Sequence, residues 1–335
     1  MLERLIASPM PLVLKNAFNL AHGSSDSRTN LLVRIGEGRG EVPIVPYYGI
    51  TSAQLLQELD RASTLLEEDP YRIDEVMSRI EDPAAGFSAP ARCGIDLALH
   101  DRVGKLLGIP LYRLFGLSPE RIPPTSFTIA IDQAEVMATR ARDSKLPILK
   151  IKLGKPEDFE IVRAVRQATS AKLRLDANGG WSREQALDLI PRLMEFDIEL
   201  IEQPLAKEDV EGYAWLRSRL KAPIFADESL QSERDILALR PGIDGIVVKL
   251  MKSGGLRGAL RMITLARALD LKVMLSCMIE SSLGVTAAAH LGPLADYIDL
   301  DGPLLIGNDP FRGLQYEGAQ IHLPSGPGIG AEPVH

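Results

Sequence analysis

The 335-residue chain holds only two cysteines, Cys93 and Cys277. One disulfide could not staple a chain of this length, so reduced thiols are expected. There is no CxxC pair, no HExxH and no phosphate-cradling P-loop. No apolar run approaches the roughly 18 residues that a membrane span needs. The N-terminal stretch MLERLIASPMPLVLKNAF carries Glu3 and two prolines, and lacks the unbroken apolar core of a signal peptide. A cytoplasmic protein with no membrane contact is the expectation. Basic blocks are missing as well, and the net charge is −7, so nucleic-acid binding is not expected. GEGRGE (36–41) is Gly-rich, but it follows LLVRI and reads as a hairpin turn rather than a phosphate loop.

What is present is ordinary in bulk and ordered in detail. The chain is 45% apolar and 25% charged, a globular composition, and its length favours one large domain with a smaller one. NLLVRI and GRGEVPIV suggest antiparallel strands around a turn. TSAQLLQELDRASTLL opens with Thr51 as an N-cap and continues with helical periodicity. APARCGIDLALHDRVGKLLG sets Ile95, Leu99, Val103 and Leu106 on one helical stripe and stops at Gly108-Ile-Pro110. Residues 1–122 are therefore expected to form an α+β capping domain. From about residue 126, strand-like runs recur every 25 residues or so, from SFTIAI (126–131) to YIDLDGP (297–303), most of them separated by amphipathic helical patterns. Eight such units imply parallel pairing and closure into a (β/α) barrel over 123–303. The last segment, 304–335, is expected to return to the capping domain.

Each run is apolar early and charged late. Asp176 and Asn178 close the third, Glu202 the fourth, Asp227 and Glu228 the fifth and Lys249 the sixth; Glu280 follows the seventh, and Asp299 and Asp301 close the eighth. Barrel closure brings strand C-termini to one rim, where active sites lie. In ILKIKLG (148–154) alternation sends Leu149, Ile151 and Leu153 toward the helices and both Lys150 and Lys152 toward the barrel mouth. Their α-carbons stand roughly 7 Å apart, a crowding of like charge that disfavours folding. Asp176, Glu202 and Asp227 come from consecutive strands at similar depth. Three carboxylates in a small volume need a counter-ion, and hard oxygen donors suit Mg²⁺. Taken singly, each acid reads rather as a helix cap or a solvated charge; three in register, flanked by lysines in barrel order, favour a metal site. Lys152 and Lys249 lie on opposite sides of the ring, an arrangement suited to two-base proton transfer, whereas a lone barrel lysine would be a salt bridge or a Schiff-base former. Lys252 is expected to support the site from behind or to be solvated.

KIKLG, LDANGGW, IEQP, ADES and VVKLMKSGG, in that order, resemble the enolase superfamily and its muconate-lactonizing-enzyme subgroup, and RCGIDLALHD resembles the helix that enters its barrel. The resemblance spans nearly the whole chain. It implies a modified (β/α)7β barrel with an N-terminal α+β capping domain, in the α/β class. It implies one Mg²⁺ per subunit on Asp176, Glu202 and Asp227, acid–base catalysis by Lys152 and Lys249 with Lys150 assisting, and a homo-oligomer. Such sites use a lysine or histidine base with Mg²⁺ holding an enediolate. The basic lysine must be neutral to accept a proton, so a neighbouring cation that lowers its pKa is expected.

Within the subgroup, the inward DxD of Asp299 and Asp301 resembles the signature of dipeptide epimerases, because an acid pair there can bind a substrate ammonium group. A cap or salt-bridge role for the two acids is the bland alternative. The expectation is a dipeptide epimerase, an isomerase that inverts the α-carbon of the C-terminal residue of a small-molecule dipeptide. The alternatives are an N-succinylamino acid racemase, o-succinylbenzoate synthase or cycloisomerase of the same subgroup, and a non-catalytic ligand-binding barrel. Side-chain specificity is expected from the cap loop LAHGSSDSRTN (20–30) and from SCMIESS (276–282). In the first, Arg28 either binds an acidic side chain or is solvated, and His22 and Asp26 are further contacts. In the second, Cys277 and Met278 shape the pocket; Cys277 has no partner histidine nearby in sequence that would make it a nucleophile. Asn178, Glu228 and Glu280 are expected to support the ligands from behind.

Overall fold

The computed structural model describes residues 4–20 and 23–334, with side chains described for 4–16 and 25–334. Three antiparallel strands open the chain, β1 (Leu5–Leu20), β2 (Gly23–Ile35) and β3 (Gly38–Val42), in spatial order β1-β2-β3. Alternation in β2 buries Leu31, Val33 and Ile35 on one face. Ile35 pairs with Gly38, so the Gly-rich 36–41 stretch is the expected hairpin turn. Gly36 supplies the left-handed φ of 57° that the turn demands. Three helices follow, α1 (Ser52–Ala62), α2 (Ile73–Glu81) and α3 (Ala89–Leu107). Thr51 caps α1 in a reciprocal capping box with Gln54, and Gly108 ends α3 in the left-handed region.

The single apolar stripe expected on α3 is not what the helix carries. Leu106 is 55% exposed, while most of the helix before it is buried on every side. Ala91, Ile95, Ala98 and Leu99 pack into the core under the capping sheet, and Cys93 and Leu97 join the barrel core. A helix covered from two directions has no clean amphipathic period. The capping sheet sits directly on its backbone, since a Cβ on Gly40 would lie 2.2 Å from the Gly94 carbonyl oxygen. Asp96 reaches from α3 into the barrel and accepts from the backbone N–H of Leu256, at the start of the helix Leu256–Ala268.

The barrel strands are β4 (Phe127–Ile129), β5 (Ile148–Lys152), β6 (Lys172–Asp176), β7 (Ile198–Glu202), β8 (Ile224–Ala226), β9 (Gly245–Lys249), β10 (Lys272–Ser276) and β11 (Tyr297–Asp299). They pair in parallel in sequence order, and a Thr125–Ile298 bridge brings the first against the last, nearly closing the ring. An α-helix follows each of the first seven strands, from Ala134–Ser144 to Ser282–Ala289, with a short extra one, Leu250–Ser253, ahead of Leu256–Ala268 after the sixth. This is the (β/α)7β architecture expected from the sequence.

The barrel interior is layered. Leu200, Phe225, Val247 and Met274 form an apolar cluster with Tyr297. Each stands two residues before Glu202, Asp227, Lys249, Ser276 and Asp299 respectively, so a greasy layer underlies a charged one. Arg174 adds its guanidinium 5.0 Å over the Tyr297 ring and pairs with Glu199 at 2.7 Å. Beyond the barrel the chain runs back to the capping sheet: Ile306 bridges Leu14, and the Ile329 N–H donates to Asp101 of α3 at 2.7 Å. No helix among the described residues is long and apolar enough to cross a membrane.

Candidate active site

β5 delivers Lys150 and Lys152 to the interior, both buried, with Leu149, Ile151 and Leu153 packed outward in the core. Lys150 Nζ stands 2.9 Å from Glu202 Oε1, 2.9 Å from Asp299 Oδ2 and 3.0 Å from Asp176 Oδ2. Lys152 Nζ reaches the same Asp176 oxygen at 2.6 Å. From the far side of the ring, Lys249 Nζ donates to Asp227 Oδ2 at 2.8 Å. Lys252, on the short helical turn Leu250–Ser253, is fully buried and donates to Asp227 Oδ1 and to the Asp227 carbonyl. Of the two readings open for it in the sequence, the solvated one is excluded.

These contacts set the electrostatics. Burial pushes the Asp176 carboxyl up, but Lys152 and Lys150 outweigh it and hold the group below the usual carboxylate range. Asp227 is held low in the same way by Lys249 and Lys252. Glu202 moves the opposite way: burial, then the neighbouring Asp176 charge, raise it well above the usual range. Burial pulls Lys150 down, yet Asp299, Glu202 and Asp176 outweigh it and keep the ammonium charged. Lys249 is set by the acid beside it. Burial pulls it down, but Asp227 raises the group above its ordinary value, more than Lys150 can lower it.

Backbone strain marks the ends of β6 and β7. Asn178 (φ 46°) and Gln203 (φ 40°) both adopt the left-handed region that L-residues avoid. The Asn178 N–H donates to Asp176 Oδ1 at 3.0 Å, and its Nδ2 to Glu228 Oε1 at 3.0 Å. Gln203 Oε1 accepts from the N–H of Asp227 at 2.9 Å, so it ties the end of β7 to the acid that follows β8. Gln203 was not singled out in the sequence, where its place between Glu202 and Pro204 is the only signal.

The donor set fits a divalent cation. Six buried carboxyl groups (Asp176, Glu202, Asp227, Glu228, Asp299 and Asp301) face four buried amino groups (Lys150, Lys152, Lys249 and Lys252), so oxygen donors outnumber the lysines that engage them. Asp176 pairs in register with Glu202 on the adjacent strand, which gives hard oxygen donors at one level. Among the described residues no three acidic, His or Cys side chains converge as a ready-made cage; Asp176, Glu202 and Asp227 each engage a lysine instead.

A cavity opens over this layer, lined by Lys150, Lys152 and Lys249, by Asp299 and Asp301, and by Arg28, Tyr47, Tyr48, Cys277 and Met278. Asp299 is engaged by Lys150, by Ser126 Oγ at 2.7 Å and by Ser276 Oγ at 3.1 Å. Asp301 accepts from the Thr128 N–H at 2.7 Å, and burial, then Asp299, push its carboxyl up to about 6. Arg28 belongs to β2, paired with Leu12, rather than to a loop, and burial lowers its pKa. His22 lies outside the described residues, and Asp26 is exposed. Tyr47 and Tyr48 had no sequence signal, since they sit in a non-periodic Pro-rich link. Cys277 and Met278 do line the cavity, but Glu280 does not; its carboxylate turns back to the Met278 N–H at 2.8 Å.

Residues 6–116 match the model of the mandelate racemase / muconate lactonizing enzyme N-terminal domain, and residues 132–335 match the enolase C-terminal domain-like model. The chain is 39% identical over 329 residues to an L-Ala-D/L-Glu epimerase of Bacteroides thetaiotaomicron, covering 96% of this chain and 86% of that protein. A dipeptide epimerase from Enterococcus faecalis, solved in complex with Mg and the dipeptide L-Leu-L-Tyr, superposes with a TM-score of 0.91 at 31% identity, over 98% of this chain and 99% of that one. An N-succinyl Arg/Lys racemase from Bacillus cereus gives a TM-score of 0.94 at 27% identity, over 100% of this chain and 96% of that one.

Proposed function

Because this chain belongs to the mandelate racemase / muconate lactonizing enzyme family of the enolase superfamily, whose similar members named above are isomerases, we propose that it is a dipeptide epimerase. The observation that carries the proposal is one cavity holding Lys152 and Lys249 from opposite strands together with the buried acids Asp299 and Asp301. The racemase neighbour has the same fold, so fold alone does not choose the substrate. The buried acids favour a dipeptide over an N-acyl amino acid with an uncharged side chain: acylation removes the cation from the amino end, whereas a dipeptide presents an ammonium at one end and a carboxylate at the other.

In this reading Asp301 and Asp299 bind the N-terminal ammonium and fix which carbon lies between the lysines. Asp176, Glu202 and Asp227 would hold Mg²⁺. When bound, that ion supplies stabilisation of the negative charge that grows on the substrate carboxylate as the α-proton leaves. Lys152 Nζ takes the α-proton from one face of the C-terminal residue, and Lys249 Nζ returns one to the other face; in the reverse direction the roles exchange. Lys150, kept cationic by three acids, adds fixed positive charge beside the enediolate. The greasy layer of Phe225, Val247 and Met274 beneath excludes water from the charged layer.

The test is a dipeptide library incubated in D₂O with Mg²⁺ and read by mass shift and NMR. Deuterium is expected only at the α-carbon of the C-terminal residue, and Lys152→Ala and Lys249→Ala should each abolish epimerisation. Near wild-type turnover in either variant removes the two-base reading. Turnover of N-acyl amino acids with no exchange on any dipeptide favours the racemase instead.

A further inference from the structure

A second buried polar cluster lies away from the charged layer, between the capping sheet and the barrel. Glu41 on β3 is fully buried and accepts from Asn30 Nδ2 at 2.7 Å, from the Ser281 N–H at 3.0 Å, from Ser281 Oγ, and from the Gly284 N–H at 3.0 Å. Asn30, from β2 and 1% exposed, also donates from Nδ2 to the Ile279 carbonyl at 3.0 Å. Its Oδ1 accepts from the Ile44 N–H at 3.2 Å. One side-chain pair therefore grips two separate stretches of backbone. Ile44 begins the link that carries Val45, Tyr47 and Tyr48 into the cavity, and Ile279 and Ser281 belong to the loop that carries Cys277, Met278 and Ile279 into it. Neither Asn30 nor Glu41 lines the cavity, and their hydrogen bonds go to none of the lysines or acids of the charged layer.

Buried groups of this kind are costly to leave half-satisfied, so the pair has essentially one arrangement. That arrangement sets the spacing between the cap wall and the barrel wall of the cavity, across elements about 240 residues apart in the chain. We infer that Asn30 and Glu41 are positioning residues that fix substrate side-chain selectivity by holding the 44–48 link and the 277–281 loop in one register. The selectivity half of this inference rests on the dipeptide reading; the coupling of the two loops does not.

Two measurements on the full-length Mg²⁺-loaded protein test it. In Asn30→Ala, backbone amides of the 44–48 link and the 277–284 loop should exchange with solvent about tenfold faster or more, together, while amides of β5 to β9 are unchanged. In Asn30→Ala and the milder Ser281→Ala, KM should rise about tenfold with kcat within about twofold, and the preference between a bulky and a small C-terminal side chain should shrink. Glu41→Gln, which keeps the size but turns a donor toward Ser281, should behave as Asn30→Ala. The inference is overturned if only one loop loosens, if the preference is unchanged, or if kcat and KM change only as the folded fraction does. Should the wild type act on no dipeptide, the proposed function falls, and the exchange experiment still decides the coupling.

Discussion

Lys150 is the group whose loss should be felt most, and its effect can be worked from its contacts. Lys150→Met keeps the length of the side chain and removes an ammonium that stands within 3.0 Å of Glu202, Asp299 and Asp176, all buried. Removing one partner of a buried ion pair typically costs about 3–5 kcal/mol, because the remaining charge is left without compensation. Unfolding entropy near the melting point is about 2.1 cal/mol/K per residue, or roughly 0.7 kcal/mol/K for this chain. The melting temperature should therefore fall by roughly 4–7 °C, measured by calorimetry at neutral pH with chelator present. The second variant, Lys150→Met with Asp299→Asn, removes one of the stranded charges and should recover more than about 1 kcal/mol of the loss, a coupling expected only of groups in contact. A drop of less than about 1 °C, or strictly additive effects in the double variant, would refute the reasoning.

The remaining expectations concern pH and selectivity. Burial, then Glu41, push the Glu280 carboxyl up to about 8 from its ordinary 4.5. Across that window the folded chain keeps a proton that the unfolded chain has released, so stability falls as pH rises, by about 1.4 kcal/mol per unit. Glu280→Gln should flatten that slope and be the more stable protein at the alkaline end, read from urea midpoints at several pH values; identical slopes would show that Glu280 is not the titrating group. Arg28→Leu should raise KM for dipeptides with an acidic C-terminal side chain by roughly tenfold or more, the worth of one charge-assisted hydrogen bond, and leave alanine side chains nearly unaffected. An unchanged ratio between the two substrates assigns Arg28 to solvent.

The barrel was legible in the sequence because its signals are local. Each strand declares itself within five residues, and the acids and lysines stand at the strand ends where closure must gather them. The capping boxes and the hairpin at Gly36 are local as well. What escaped is set by distant packing. The burial of α3 on both sides depends on a sheet above and a barrel below; of the expected stripe Ile95, Leu99 and Val103 are buried, while Leu106 on the last turn is exposed. Lys252 looks solvated by its charge and its place past the strand; only the Asp227 side chain and carbonyl, more than twenty residues upstream, explain why it is buried. Tyr47 and Tyr48 line the cavity from a link whose Ile44 N–H donates to Asn30 Oδ1 of β2, a relation that no periodicity encodes.

The two lysines of ILKIKLG crowd one face of one strand, and that crowding is resolved by register rather than by distance. Lys152 pairs across the ladder with Asp176, and Asp176 with Glu202, so charge alternates in sign from β5 to β6 and the acids continue into β7. Lys150, one layer deeper, has Arg174 as its ladder neighbour, a third cation in the same wall. It is rescued by reaching up to Glu202 and Asp176 and across the nearly closed ring to Asp299 of β11. Arg174 turns instead to Glu199 and the Tyr297 ring. The charged layer is therefore a closed set: each ammonium is held by acids from other strands, and an open sheet could not bring β11 to β5. Closure of the barrel is thus a condition for keeping these charges buried, as well as the means of bringing the two candidate bases to opposite sides of one cavity.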